Sequence, residues 1–138
     1  MTLARAGLCA AIIVAGLALR GLGLRLGLPG FIVKYGGSTL WGAMVFFLVA
    51  LAAPRLSRPG IALISAAIAV TVELFRLVHT PALDAFRLTL VGALLLGRIF
   101  SAWDVVAYGA GIMLALGLDR FAARLAPNNA RVSFPSNR

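Results

Sequence analysis

Five apolar segments, Ala6 to Leu19, Thr39 to Ala53, Ile61 to Val72, Leu88 to Gly97 and Val105 to Leu118, alternate with short polar breaks rich in glycine, proline and arginine. A helix that crosses a bilayer needs about 20 predominantly apolar residues, so each segment reaches spanning length only by borrowing its flanks. The second is the cleanest. No charge interrupts it between Lys34 and Arg55, Ser38 stands where an N-cap would, and Pro54 supplies a stop. The third follows Arg58-Pro59-Gly60 and runs on through Glu73, Arg76 and His79 to Pro81. The fifth starts near Asp104 and closes at Asp119-Arg120, with Ser101 and Asp104 at capping-box spacing. The expected architecture is all-α: an integral membrane bundle of about five helices, residues 1–126, followed by a polar tail, 127–138, expected to be disordered.

The fourth segment sets the topology. Only ten residues separate Arg87 from Arg98, a helical rise of about 15 Å against a hydrocarbon core about 30 Å thick. If all five segments cross, Arg5, Arg55, Arg58 and Arg98 share one side, and nine basic residues, namely Arg20, Arg25, Lys34, Arg76, Arg87, Arg120, Arg124, Arg131 and Arg138, share the other. If the fourth segment dips in and returns, the division is seven against six, with both termini on one side. Asymmetry of basic residues across the membrane favours five crossings.

Composition supports a lipid solvent. Of 138 residues, 62% are apolar and 12% charged, whereas soluble domains carry about 25% charged residues. A soluble monomer is excluded, because too few polar side chains remain to cover its surface. The first segment, with Arg5 ahead of an apolar run, resembles the start of a signal peptide, but no cleavage site follows, so a retained helix is expected. Its end carries Gly23 and Gly27 at the small-residue spacing that lets helices approach. Trp41 and Trp103 stand at expected helix starts and read as interfacial anchors. The single Cys9 lies within an apolar run and reads as a core residue.

Thirteen basic residues against four acidic ones give a net charge of +9. The basic residues are spread between apolar runs and form no solvated patch with interleaved aromatics, so no nucleic-acid partner is expected. One His and one Cys far apart make no zinc site. Gly36-Gly37-Ser38-Thr39 lacks the ending of a phosphate-binding loop. No metal or cofactor is expected.

Charged residues among apolar ones carry the remaining chemistry. On a continuous helix Glu73, Arg76 and Thr80 form one stripe, with His79 beside it. Asp84 precedes Arg87 by one turn, Arg87 and Arg98 return to one helix face, and Asp104, Tyr108, Gly111 and Ala115 line another. Pairing Glu73, Asp84 and Asp104 with Arg76, Arg87 and Arg98 balances each acid in the membrane region with a base. A charge at the bilayer centre costs about 2.5–3.5 kcal/mol on insertion scales, so it needs a partner, an interface or water. The candidate polar cluster is Glu73, Arg76, His79, Asp84, Arg87, Arg98, Asp104 and Tyr108. Lys34, Arg76, Arg87 and Arg98 are candidate ligands for a lipid phosphate, since a guanidinium binds phosphate oxygens bidentately without losing its proton. Expected partners are membrane lipids, among them anionic lipids or a polyprenyl phosphate, and a second copy or another membrane protein. Three function classes remain: a lipid- or partner-binding membrane protein, a lipid-modifying hydrolase or transferase with Glu73 or His79 as base, and an oligomeric transporter or channel subunit.

Lys34, Gly37, Leu40-Trp41, Glu73, Asp84, Arg87, Thr89, Gly92, Gly97, Phe100-Ser101, Asp104, Tyr108 and Gly111 together resemble a family of small uncharacterised bacterial membrane proteins, a domain of unknown function. Glu73, Arg98, Ser101, Asp104, Tyr108 and Gly111 also resemble the pattern of VanZ-like proteins. Arg76 replaces the Gln and Tyr108 the Asn of that pattern, and the spacing from Glu73 to Arg98 is longer. The resemblance implies residence in the bacterial inner membrane and a cell-envelope role, brings no catalytic mechanism, and favours a fourth segment that dips and returns, because Asp104 then joins Glu73.

Overall fold

The computed structural model describes residues 1–96 and 99–126. Its elements are α1 (Thr2–Leu22), α2 (Gly30–Ala52), α3 (Arg58–Phe75), α4 (Pro81–Leu88), α5 (Leu90–Leu95) and α6 (Ala102–Leu125). Four of them, α1, α2, α3 and α6, hold 18 to 24 residues and are apolar enough to cross a bilayer. Their rise of about 27–36 Å matches a core about 30 Å thick. The protein is a multi-pass membrane protein. The tail expected at 127–138 and the candidate Arg98 lie outside the described residues.

The helices extend past the apolar segments that announce them. α2 begins at Gly30, two turns ahead of Ser38, behind Pro29, whose fixed φ precedes the first turn. Ser38 is therefore no cap: its hydroxyl donates within the helix to the Lys34 carbonyl at 3.1 Å. At α3 the real cap is Ser57, which accepts from the Gly60 N–H, with Pro59 in the first turn. Gly27, with φ +81°, closes the turn between α1 and α2, a conformation that glycine adopts without steric cost.

Among the described residues, the fourth apolar segment forms no single helix long enough to cross a bilayer. Thr89 has extended backbone angles and serves both as the end of α4 and as the N-cap of α5, its hydroxyl accepting from Gly92 N–H at 3.0 Å. The eight residues of α4 and six of α5 rise about 12 and 9 Å, and the two pack chiefly on each other. The charge count favouring five crossings is corrected by this break: local capping by Thr89 competes with helix continuation, and basic-residue asymmetry carries no information about it.

Helix directions follow from side-chain contacts. Arg5, near the start of α1, reaches the Ala50 carbonyl near the end of α2 and the Asp119 carboxylate near the end of α6. Arg58 at the start of α3 reaches the same carboxylate. Thus α2 and α6 run parallel, and α1 and α3 run against them, so both ends of the described chain lie on one side and α4–α5 on the other.

The core is built where α2 meets α6. Phe46 and Phe47 are fully buried and meet edge to face, with centroids 5.4 Å apart. Cys9, Ala50, Ile61, Ile112 and Ala115 pack around them, so Cys9 is a core residue as expected. Close approach depends on two glycines. A Cβ on Gly111 would strike the Thr39 carbonyl, and one on Gly42 would meet the Tyr108 backbone. Large apolar residues elsewhere, such as Leu63, Met113 and Leu114, face outward, as lipid solvent allows.

Candidate functional site

At the end of the bundle that carries α4–α5, Glu73, Arg76, Asp104 and Tyr108 meet in one cluster. α3 stops at Phe75 and Arg76 is its C-cap, so the expected stripe through Thr80 ends one turn early. Thr80 instead caps α4, accepting from Leu83 N–H. The chain turns at Arg76, which lets its guanidinium swing across to α6 and α5. Its Nη1 lies 2.7 Å from Glu73 Oε2 and 3.1 Å from Asp104 Oδ2. Its Nη2 donates to the Tyr108 hydroxyl at 2.8 Å, and its Nε to the Leu96 carbonyl at 2.6 Å. One arginine thereby joins three separate helical elements.

Glu73 is fully buried. Oε1 accepts from the Ser101 backbone N–H at 2.6 Å and Oε2 from the Tyr108 hydroxyl at 3.0 Å. This replaces the expected capping box. Ser101 is the N-cap of α6 but makes no side-chain cap bond, and Asp104 faces away to Arg76 and to Ser38 Oγ, 3.3 Å distant. A carboxylate from α3 thus anchors the start of α6, where negative charge is favoured by the helix dipole. Tyr108 is also buried and lies against the Trp41 ring, centroids 4.8 Å apart. Trp41 accordingly belongs to the packing around the cluster; Trp103 is exposed.

The remaining candidates separate from this cluster. Arg87 is buried, but it serves its own corner: Nη2 donates to Phe75 carbonyl and Nη1 to Val78 carbonyl, both at 2.8 Å, and Nη1 also meets Asp84 at 3.1 Å. It fastens α4 onto the carbonyl end of α3. His79 Nδ1 sits 3.1 Å from Asp84 Oδ1 on the exposed loop. Lys34 is exposed, with Nζ 5.1 Å from the Tyr35 ring centroid. Glu73, Arg76, Asp104 and Tyr108 are brought together; His79, Asp84 and Arg87 form a second group; Lys34 stands apart.

Two of the expected pairs form, Glu73 with Arg76 and Asp84 with Arg87, while Arg98, the expected partner of Asp104, lies outside the described residues. Arg76 takes two carboxylates, and Asp119, read from the sequence only as a helix end, is fully buried between two arginines. Arg5 binds it through Nε at 2.7 Å and Nη2 at 3.0 Å, and Arg58 through Nε at 2.7 Å. The available signal was scarcity. With four acids in the chain, each one beside an apolar run calls for a partner.

An apolar groove of about 270 Å³ reaches the first cluster. Ile12, Gly16, Leu40, Met44 and Ala93 form its walls, from α1, α2 and α5. Ser38, Arg76 and Tyr108 supply its polar end, with Arg20 beside them. Arg20 is exposed and makes no ion pair among the described residues.

A protein-family model matches residues 27–112, more than half of the chain. The chain belongs to that family, DUF2809. Its members are described as proteins of unknown function. The DUF2809 region contains all four residues of the Glu73–Arg76–Asp104–Tyr108 cluster and excludes Arg5 and Asp119 at the opposite end. No solved structure matches this fold.

Proposed function

We propose that this DUF2809 protein binds a membrane lipid, with one hydrocarbon chain in the groove between α1, α2 and α5 and an anionic phosphate headgroup at Arg20. The observation that carries the reading is the groove itself: apolar walls lead to a polar end at which Arg20 lacks a carboxylate partner among the described residues, whereas Arg76 is already held by two. Its volume lies just under the range of ordinary ligand pockets, about 300–1,000 Å³, which suits one chain. Arg76 and Arg87 act here as organisers of the site, since Nε and both Nη nitrogens of Arg76 and both Nη nitrogens of Arg87 are engaged by the protein's own oxygens. The natural setting is the bacterial inner membrane, with a role in the cell envelope. Polyprenyl phosphates fall within the ligand class.

Native mass spectrometry of detergent-extracted protein tests this directly. One anionic lipid should co-purify, be lost in Arg20→Gln, and be weakened in Glu73→Gln, which inserts normally but loses function. Identical lipid retention in the parent and Arg20→Gln would overturn the assignment.

A hydrolase or transferase is the second reading, favoured by the exposed His79 imidazole oriented by Asp84. Glu73 is the weaker base, being closed off by three donors. Phosphate release by purified protein, abolished in His79→Ala, would decide for it.

A further inference from the structure

At the opposite end of the bundle the charge balance is reversed. Asp119 is fully buried and, among the described residues, is the single carboxylate facing Arg5 and Arg58. Arg5 uses both oxygens of it and directs Nη1 to the Ala50 carbonyl, so it is consumed inside the bundle. Arg58 differs: it gives only Nε to Asp119, its side chain is 36% exposed, and neither of its Nη nitrogens has a hydrogen-bond partner among the described residues. The buried carboxylate therefore holds the guanidinium by Nε and leaves its Nη edge without a protein partner among the described residues. A planar fork held in this way loses little further freedom on binding two phosphate oxygens. Two arginines on one carboxylate also leave, among the described residues, one positive charge without a counter-ion at the membrane boundary.

We propose that Arg58 is the recognition residue of a second lipid site, for the phosphate of an anionic headgroup in the leaflet opposite the groove. A lipid headgroup supplies both missing elements, a pair of phosphate oxygens and a net negative charge, at the depth where α3 begins. Arg58→Lys keeps a cation for Asp119 but has no second edge to offer, so it isolates the fork from the charge.

Phosphatidylglycerol is the probe, titrated into the full chain in detergent and followed by native mass spectrometry. Arg58→Lys should bind one lipid fewer, or bind the first at least threefold more weakly, with helicity unchanged; Arg120→Gln and Glu73→Gln should keep this lipid. Equal binding by the parent and Arg58→Lys overturns the proposal. A second measurement needs no variant. Dicarbonyl labelling of the parent in vesicles should show Arg58 shielded at least threefold by phosphatidylglycerol relative to phosphatidylcholine, and more than Arg120. Equal labelling of Arg58 in both lipids, or equal shielding by free inorganic phosphate, overturns it as well.

Discussion

The hydroxyl of Tyr108 on α6 donates to Glu73 Oε2 on α3 across 3.0 Å, and accepts from Arg76 Nη2 at 2.8 Å. One phenol therefore sits between an acid and a base that are themselves in contact, with its ring against Trp41. Removing that oxygen leaves a buried carboxylate lone pair and a guanidinium N–H without their partner. Tyr108→Phe should lower stability by about 1–3 kcal/mol, read as a fall in the unfolding midpoint in micelles, with the helical content of the folded form unchanged.

Glu73→Gln should cost more. The amide retains the shape, yet it cannot neutralise Arg76 and can turn a donor towards the Tyr108 hydroxyl or Ser101 N–H. Losing one partner of a buried pair costs about 3–5 kcal/mol; Asp104 still holds Arg76, which brings the expected value towards the lower figure. A double-mutant cycle with Tyr108→Phe should be clearly non-additive, because the two groups share one hydrogen bond.

Asp119→Asn should be the most damaging change at the other end, by about 3–5 kcal/mol, since both Arg5 and Arg58 lose their counter-charge. Arg58→Gln should cost less, for the carboxylate keeps both bonds from Arg5. An equal loss of stability in the two variants would contradict the geometry of this triad.

Gly111→Ala should force α2 and α6 apart, because the added methyl meets the Thr39 carbonyl, a backbone atom that cannot rotate away. The cost expected for such overpacking is about 1–3 kcal/mol. Gly109→Ala is the control. Nothing lies within 4 Å of its would-be Cβ, and the gain in helix propensity should leave it neutral or slightly stabilising.

Single cysteines at Ser57 and Thr80, in a Cys9→Ala background, should react with an impermeant maleimide from opposite sides of sealed vesicles. Both positions are exposed, one before α3 and one after it. Labelling of both from one side would refute the arrangement of α3 as a crossing.

The crossing helices were readable because lipid imposes a simple requirement: long apolar runs with every backbone group satisfied internally. Glu73, Arg76, Asp104 and Tyr108 were readable for the complementary reason, that charge among apolar residues needs a partner. The local pairs, Glu73 with Arg76 and Asp84 with Arg87, were readable from their spacing, but the second carboxylate on Arg76 was not. Arg76 reaches two acids only because α3 ends at Phe75, and nothing in the periodicity of Glu73, Arg76 and Thr80 marks that end. The break at Thr89 was hidden in the same way, since a threonine hydroxyl can cap a new helix or bond back within an old one. Asp119 was missed because an acid close to a helix end looks like a boundary until three-dimensional packing brings Arg5 from 114 residues away.

The turn at Thr89 also governs what can be attached to the molecule. With α4–α5 doubling back, the count of crossings among the described residues is even, so reporter domains fused ahead of α1 and behind α6 are expected in the same compartment. A split fluorescent protein carried half on each end would reassemble without leaving that compartment, and an odd count would keep its halves on either side of the membrane.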